Sequence, residues 1–362
     1  MRRYELGISL NYAKSWGIPE AVREFFQNAL DEEKQNPENK MSIFYDEAKQ
    51  ILTISNRKSR LTPKTLLLGS STKEGNPELI GEHGEGYKVA TAVLMRNGVT
   101  VKIYNNEVNE VWTSRVVKSK RYDSDIVCFD VTKEVFNKDD DLVIDLIGIT
   151  PEMYAGVVKS NLHLRDDVGE VKSGKVGSIL LDEKFRGKIY VEGLYVCTKS
   201  ELEWGYNLSA SVAKLDRDRG LIDSFDLKFT IAKLVAGLED AEFIADNINK
   251  PDLRFVATYI GIGTNIREEA SNRAYAKFQE EYGDDAVPVS STKEFNRYTE
   301  MGCKAVMVST QVKEVIDLKE RDYLKGKEIS DIDREFEDWC KLAHMHLPSY
   351  LFEAIQDLWQ RK

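Results

Sequence analysis

Three glycines fall within six residues, Gly81-Glu82-His83-Gly84-Glu85-Gly86, directly before a helix-forming apolar stretch from Tyr87 to Met95. Glycines at the mouth of a helix let several backbone N–H groups converge on one spot, and the helix dipole adds positive potential there. The fold must therefore turn sharply into a helix at this point. The turn reads either as a phosphate site or as a capping loop with no ligand. It is not a Walker A loop, because Tyr87 stands where that motif requires lysine. Nor is it a dinucleotide fingerprint, since the spacing is G-x-x-G-x-G and no strand directly precedes it.

An earlier helix starts at Trp16-Gly17-Ile18-Pro19-Glu20, where proline costs nothing in the first turn. Val22, Phe25, Phe26, Ala29 and Leu30 recur at helical spacing, predicting an amphipathic helix to about Lys34 that ends at Asn36-Pro37-Glu38-Asn39. Glu24, Asn28 and Asp31 stand at i, i+4 and i+7, within about 60° of arc opposite that apolar face. One reading of this polar stripe is plain solvation. The other is metal-assisted phosphate chemistry, in which the Asn28 amide oxygen holds Mg²⁺ on the phosphates while Glu24 takes a proton from attacking water.

Taken together, Glu24-x-x-x-Asn28-x-x-Asp31 resembles the N box of the GHKL (Bergerat-fold) superfamily, which includes gyrase-type topoisomerases, Hsp90, MutL, the MORC group and histidine kinases. Gly81-x-x-Gly84-x-Gly86 followed by Tyr87-Lys88 resembles that superfamily's second glycine box. The resemblance covers roughly residues 1 to 155. It implies an ATP-binding α/β sandwich, a mixed sheet with helices on one face, within an α+β protein. It further implies ATP and Mg²⁺ as cofactors, Glu24 as general base and Asn28 as metal ligand. Asp31, Asn56, Lys73, Gly81, His83, Gly84, Glu85, Gly86 and Lys88 become the remaining candidate contacts. Glu24 sets the chain with the ATP-hydrolysing branches, because the family's histidine kinases lack that carboxylate.

One box departs from the pattern. Where the family carries Asp-x-Gly-x-Gly, this chain reads Asn56-Arg57-Lys58-Ser59-Arg60. Asn56 can still accept from an adenine amino group, but a neutral acceptor is weaker than a carboxylate. Arg57, Lys58 and Arg60 either line the pocket or form solvated surface. The departure keeps a second reading open, that of a non-hydrolysing binding or regulatory protein on the same fold. Ser70-Ser71-Thr72-Lys73 falls where family lids reach the phosphates.

At 362 residues the chain is too long for one core, and three regions are expected: the ATP module at 1–155, a ribosomal-S5-like transducer at 156–250 and an α/β region at 251–362. In the first, a hairpin (Met41 to Tyr45, Ile51 to Ser55), a short helix (Leu61 to Leu68), strands at Val99–Tyr104, Val111–Val117, Ile126–Val131 and Leu142–Ile147, and a helix at Pro151–Ser160 are predicted. Strands Gly177–Leu181, Lys188–Val191 and Leu194–Cys197 precede a long helix from about Asp223 to Asp246. Lys214, Arg217 and Arg219 are the candidates for a transducer cation that senses the γ-phosphate, or else belong to a salt-bridged turn. Beyond Pro251, strands Ala286–Val289 and Lys304–Val308 alternate with helices, and Trp339 to Gln360 is helical.

Hydrophobic residues at 42% and charged residues at 31% describe a globular chain, not a disordered one. The 61 acidic against 51 basic residues, a net charge of −10, disfavour nucleic acid as a partner. No apolar run suggests a signal peptide or membrane span, and Cys128, Cys197, Cys303 and Cys340 lack metal-ligand spacing. A cytoplasmic protein is expected. The resemblance adds homodimerisation, and the residues after about 250 are expected to face an unknown protein partner.

Overall fold

The computed structural model describes residues 1–66, 86–120, 123–135, 140–213, 224–260, 266–324, 331–344 and 346–359. The chain divides into two compact units, Met1–Leu238 and Glu239–Lys362.

The first unit opens with β1 (Arg2–Ser9), α1 (Ile18–Gln35), β2 (Met41–Asp46) and β3 (Ile51–Asn56). There follow α2 (Gly86–Arg96), β4 (Thr100–Asn105), β5 (Glu110–Ser119), β6 (Ser124–Lys133), β7 (Leu142–Ile147) and α3 (Pro151–Lys159). The seven strands form one sheet in the order β1-β6-β5-β4-β7-β3-β2. Every pairing in it is antiparallel, which corrects the expected mixed sheet. Strand alternation gives the sheet an apolar face of Leu52, Ile54, Val101, Ile103, Trp112, Phe129, Ile144 and Leu146. Val22, Phe25 and Phe26 of α1 and Val89, Ala90 and Val93 of α2 pack against it.

Local chemistry fixes the ends of α1. The Glu20 carboxylate accepts from the Gly17 N–H at 2.9 Å, closing the first turn. At the other end Asn36 is extended (φ −140°), because the residue before a proline avoids the helical region. Thr150 caps α3 by accepting from the Met153 N–H at 3.3 Å, and Pro151 begins the helix.

The same unit continues with β8 (Val171–Gly174), β9 (Gly177–Leu180), β10 (Lys188–Val191), β11 (Leu194–Thr198), β12 (Gly205–Leu208) and α4 (Ser224–Ala236). Its second sheet runs β11-β10-β12-β9-β8, with β10 and β12 parallel. The β10–β11 hairpin turns through Glu192 and Gly193, both at positive φ (49° and 80°). A Cβ on Gly193 would also meet the His163 ring at 2.5 Å, so the position needs glycine twice over.

The second unit holds α5 (Ala241–Asn247), α6 (Val256–Ile260), α7 (Arg267–Tyr282), β13 (Ala286–Val289), α8 (Thr292–Glu300), β14 (Lys304–Met307) and α9 (Thr310–Ile316). It ends with α10 (Asp331–Ala343) and α11 (Ser349–Trp359). β13 and β14 pair in parallel across α8, and Ser291 and Ser309 cap the helices that follow the two strands. This unit thus alternates helices with two parallel strands.

Several predicted elements change. The helix expected from Leu61 to Leu68 is a single 3-10 turn at Pro63–Leu66 within the described residues. The long helix from Asp223 breaks at Gly237, and Asp240 caps a new one by accepting from the Phe243 N–H at 2.9 Å. The stretch from Trp339 to Gln360 divides at Pro348 between α10 and α11. β1, β8 and β12 are additions that the sequence reading did not make.

Candidate functional site

The N-box residues lie on α1, with Asn28 half-buried and the two carboxylates shut off from solvent. Glu24 is 1% exposed and Asp31 0%, so the solvated-stripe reading fails. The Glu24 carboxylate points at the start of α2, while other positions of α1 meet the second sheet. The Phe26 ring of α1 lies 5.4 Å from the His163 ring, its Lys34 pairs with Glu192 at 2.7 Å, and its Arg23 Nη1 donates to the Tyr195 carbonyl at 3.2 Å. One helix thus serves both sheets of the first unit.

The Glu24 carboxylate reaches the start of α2. A Cβ built on Gly86 would sit 2.3 Å from Glu24 Oε2 and 3.3 Å from Glu24 Cδ. Only a residue without a side chain allows that approach, and it brings an anionic group to a helix N-terminus, where it is favoured by about 0.3–1 kcal/mol. The last of the three glycines and the first N-box residue are therefore neighbours. Arg23 Nε stands 3.8 Å from Glu24 Oε1, and the Arg23 guanidinium lies 5.6 Å from the Trp16 ring centre.

Asn28 Nδ2 donates to the Glu24 carbonyl at 2.8 Å, which turns the amide's nitrogen back onto its own helix. Lys88, in the first turn of α2, is 0% exposed and so is not a snorkelling surface lysine. Beside it Tyr87 packs edge-on against Phe25, ring centres 5.1 Å apart. Burial pushes the Tyr87 phenol well above the usual range, and the Glu32 charge adds to the effect.

Asn56 closes β3 and is buried. Its Nδ2 donates to the Ala29 carbonyl at 3.0 Å and to the Asn39 carbonyl at 2.9 Å, so both amide protons tie β3 to α1 and to the loop after it. The three neighbouring cations make surface ion pairs: Arg57 with Asp140 (3.4 Å), Lys58 with Glu38 (2.5 Å) and Arg60 with Glu107 (3.1 Å). Of the two readings for these side chains, solvated surface is the one the ion pairs support. Lys73, Gly81, His83, Gly84 and Glu85, and likewise Lys214, Arg217 and Arg219, lie outside the described residues.

Arg23 is the site neighbour that sequence reasoning missed. Adjacent helix positions point about 100° apart. Nothing in the spacing signals that its long side chain folds back to Glu24.

Among the described residues no group of three or more His, Cys, Asp or Glu side chains converges on a metal position. A Mg²⁺ ion held by one or two protein ligands, phosphates and waters needs no such cluster. Among the described residues no helix is long and apolar enough to cross a membrane.

No family model matches the chain. An uncharacterized protein of Mycoplasma pneumoniae is 25% identical over 222 residues, 60% of this chain and 88% of that protein. Among solved structures, the ATPase and transducer domains of DNA topoisomerase II from Balamuthia mandrillaris align at a TM-score of 0.28 and 13% identity, over 49% of this chain and 60% of that one.

Proposed function

We propose that the first unit binds ATP with Mg²⁺ and hydrolyses it. The observation that carries this reading is the contact between the buried Glu24 carboxylate and Gly86, the last glycine of the Gly81–Gly86 sequence motif. In this reading the N–H groups from Gly81 to Gly86 hold the phosphates, with Lys73, His83, Glu85 and Lys88 around them. Asn28 Oδ1 would hold Mg²⁺, and the chemistry the ion would supply there is charge neutralisation at phosphate oxygens. Glu24 accepts the proton of the water that attacks the terminal phosphorus, and Arg23 keeps its carboxylate in place. Asp31 and Asn56 fix α1 against the base-binding end. The second sheet, joined to α1, serves as the transducer.

Turnover of ATP by the wild type, Glu24→Gln and Asn28→Ala tests the assignment. Glu24→Gln is expected to bind ATP and lose about 10²–10⁴-fold in rate, as removal of a general base does. Asn28→Ala is expected to lose Mg²⁺-dependent binding. Undiminished turnover in both variants overturns the reading.

The anchored Asn56 and the ion-paired cations beside it favour a second reading, a binding protein that uses the fold without hydrolysis. Calorimetry with a non-hydrolysable ATP analogue and Mg²⁺ separates the two, since absent binding supports the second. ATP-driven homodimerisation and a protein partner for the residues after about 250 belong to the proposal as well. Light scattering with and without ATP checks the former.

A further inference from the structure

Away from α1 and α2, three cations of the first unit gather without a carboxylate. Lys159 closes α3, Arg165 lies in the segment between α3 and β8, and Lys188 begins β10. Arg165 Nη2 donates to the Lys159 carbonyl at 2.7 Å, and its Cζ stands 5.0 Å from the Phe185 ring centre. Lys188 Nζ donates to the Lys184 carbonyl at 2.7 Å, and the Lys184 ammonium stands 5.3 Å from that same ring. Neighbouring cations are compensated: Lys184 pairs with Asp182 at 2.9 Å and Arg186 with Glu203 at 2.8 Å. Among the described residues, Lys159, Arg165 and Lys188 have no carboxylate oxygen within 4.0 Å. In a chain with ten more acids than bases, that arrangement runs against the overall balance.

Two buried donors in this region lack an acceptor. Tyr190 is two residues after Lys188, on the same face of β10, and is fully buried. Its hydroxyl and Arg165 Nε have no hydrogen-bond partner among the described residues. The Arg165 guanidinium lies close to the Tyr190 hydroxyl without completing a bond to it. Burial lowers the Lys188 ammonium, and the charges of Arg165 and Lys159 lower it further, as expected of cations that crowd one another. Unsatisfied buried donors are costly, and so is mutual repulsion. A ligand that removes both must be anionic and carry several acceptor oxygens. A tetrahedral phosphate meets that need better than a two-oxygen carboxylate: guanidinium offers it a fork of donors, and the ammonium groups act as point charges.

We infer that Lys159, Arg165 and Lys188, with the Tyr190 hydroxyl beneath them, form a binding site for a phosphate group, carried either by a small phosphate or by a nucleic-acid backbone. The site is independent of Glu24 and Gly86. Arg165 also caps α3, so the test spares it and uses the full chain with Lys159→Gln/Lys188→Gln. Thermal unfolding is followed in inorganic phosphate and in chloride at equal ionic strength, and a labelled single-stranded oligothymidylate is titrated by anisotropy. The Asn28→Ala chain runs alongside in Mg²⁺-free buffer as a second background. Only the difference made by Lys159→Gln/Lys188→Gln is assigned to this site, because phosphate bound at the glycine segment adds equally with and without that change. Phosphate a few-fold above its Kd is expected to raise Tm by about 2–4 °C in the wild type and in Asn28→Ala. Affinity for whichever probe binds falls about tenfold per cation removed in the double variant. Oligonucleotide binding that weakens steeply with salt and is lost in the double variant supports the site and assigns it to a nucleic-acid backbone. A phosphate shift without oligonucleotide binding supports it and assigns a small phosphate. The inference is overturned if neither probe acts on the wild type, or if the double variant responds as the wild type does.

Discussion

A methyl group at position 86 would land on the Glu24 carboxylate, 2.3 Å from Oε2. In an open helix, glycine to alanine is favourable by up to about 1 kcal/mol. Here the buried carboxylate has to swing aside, and the atom in the way is the far end of a side chain rather than backbone. Gly86→Ala is therefore expected to keep the fold, to cost at most about 2 kcal/mol in urea unfolding, and to lower ATP turnover at least about tenfold. Once Glu24 is alanine the added methyl has room, so Glu24→Ala/Gly86→Ala is expected to be no less stable than Glu24→Ala alone. Additive costs would mean that the two positions do not touch. The sequence suggested the meeting of Glu24 and Gly86 only through the resemblance of their motifs to paired family boxes; helix spacing alone placed Glu24, Asn28 and Asp31 on one arc without saying what faces it. The burial of Glu24 and Asp31 was not legible, since it depends on tertiary packing, for Glu24 on the approach of Gly86, that leaves no periodic trace in α1 itself. Arg57, Lys58 and Arg60 show the same limit. A cation's sign is written in the chain, but its partners, Asp140, Glu38 and Glu107, are chosen by the fold.

At the level of elements, the connection from β1 to α1 hangs on one side chain of α2. Arg96 Nη1 donates to the carbonyls of Leu10 and Tyr12 (both 3.0 Å), and Nη2 to those of Ala13 (3.3 Å) and Trp16 (2.8 Å). A planar guanidinium can serve four carbonyls at once, whereas an ammonium offers three donors from a single point. Arg96→Ala is expected to lower stability by about 2–3 kcal/mol, and Arg96→Lys to recover less than half of that. The check is a shift in urea midpoint at unchanged slope; a lysine variant as stable as the wild type would refute it. The strand tied down by this loop illustrates why some elements escaped the sequence reading. In β1 the period was present, with Tyr4, Leu6 and Ile8 alternating with Glu5 and Gly7, but only Leu6 and Ile8 are buried apolar residues, Gly7 takes φ +63°, and the register shifts between Glu5 and Ser9. The neighbouring strands β3, β7 and β4 were legible for two reasons: Leu52 and Ile54 in β3 and Val101 and Ile103 in β4 alternate with less buried residues, and β7 is a short apolar run buried along most of its length. The false continuation of the helix from Asp223 past Gly237 has the opposite cause: apolar spacing persisted through a break that Gly237 and Asp240 impose locally.

At the scale of the whole molecule, the division at Leu238 makes a claim about folding. The main core of the first unit, with the hydrophobic side chains packed around it, draws on residues from Tyr4 to Ala210. A separate cluster in the second unit is built on Val287, Val289, Cys303 and Leu324. Within the first unit the two sheets are joined through α1, by Arg23, Phe26 and Lys34, so neither sheet is expected to be stable once that helix is lost. Each unit has its own buried apolar cluster, which is the condition for independent folding. A chain ending at Leu238 is therefore expected to unfold cooperatively in urea with native near-ultraviolet dichroism. The full chain should show two thermal transitions, one of them matching the shortened chain. If Glu24 and Gly86 are the site of chemistry, ATP turnover should stay with the shortened chain, since both residues and every described contact around them lie within it. A shortened chain with native secondary structure but no fixed aromatic packing would show instead that the second unit is needed to complete the first. Full dichroism with lost turnover would keep the fold as drawn and move part of the active machinery beyond residue 238.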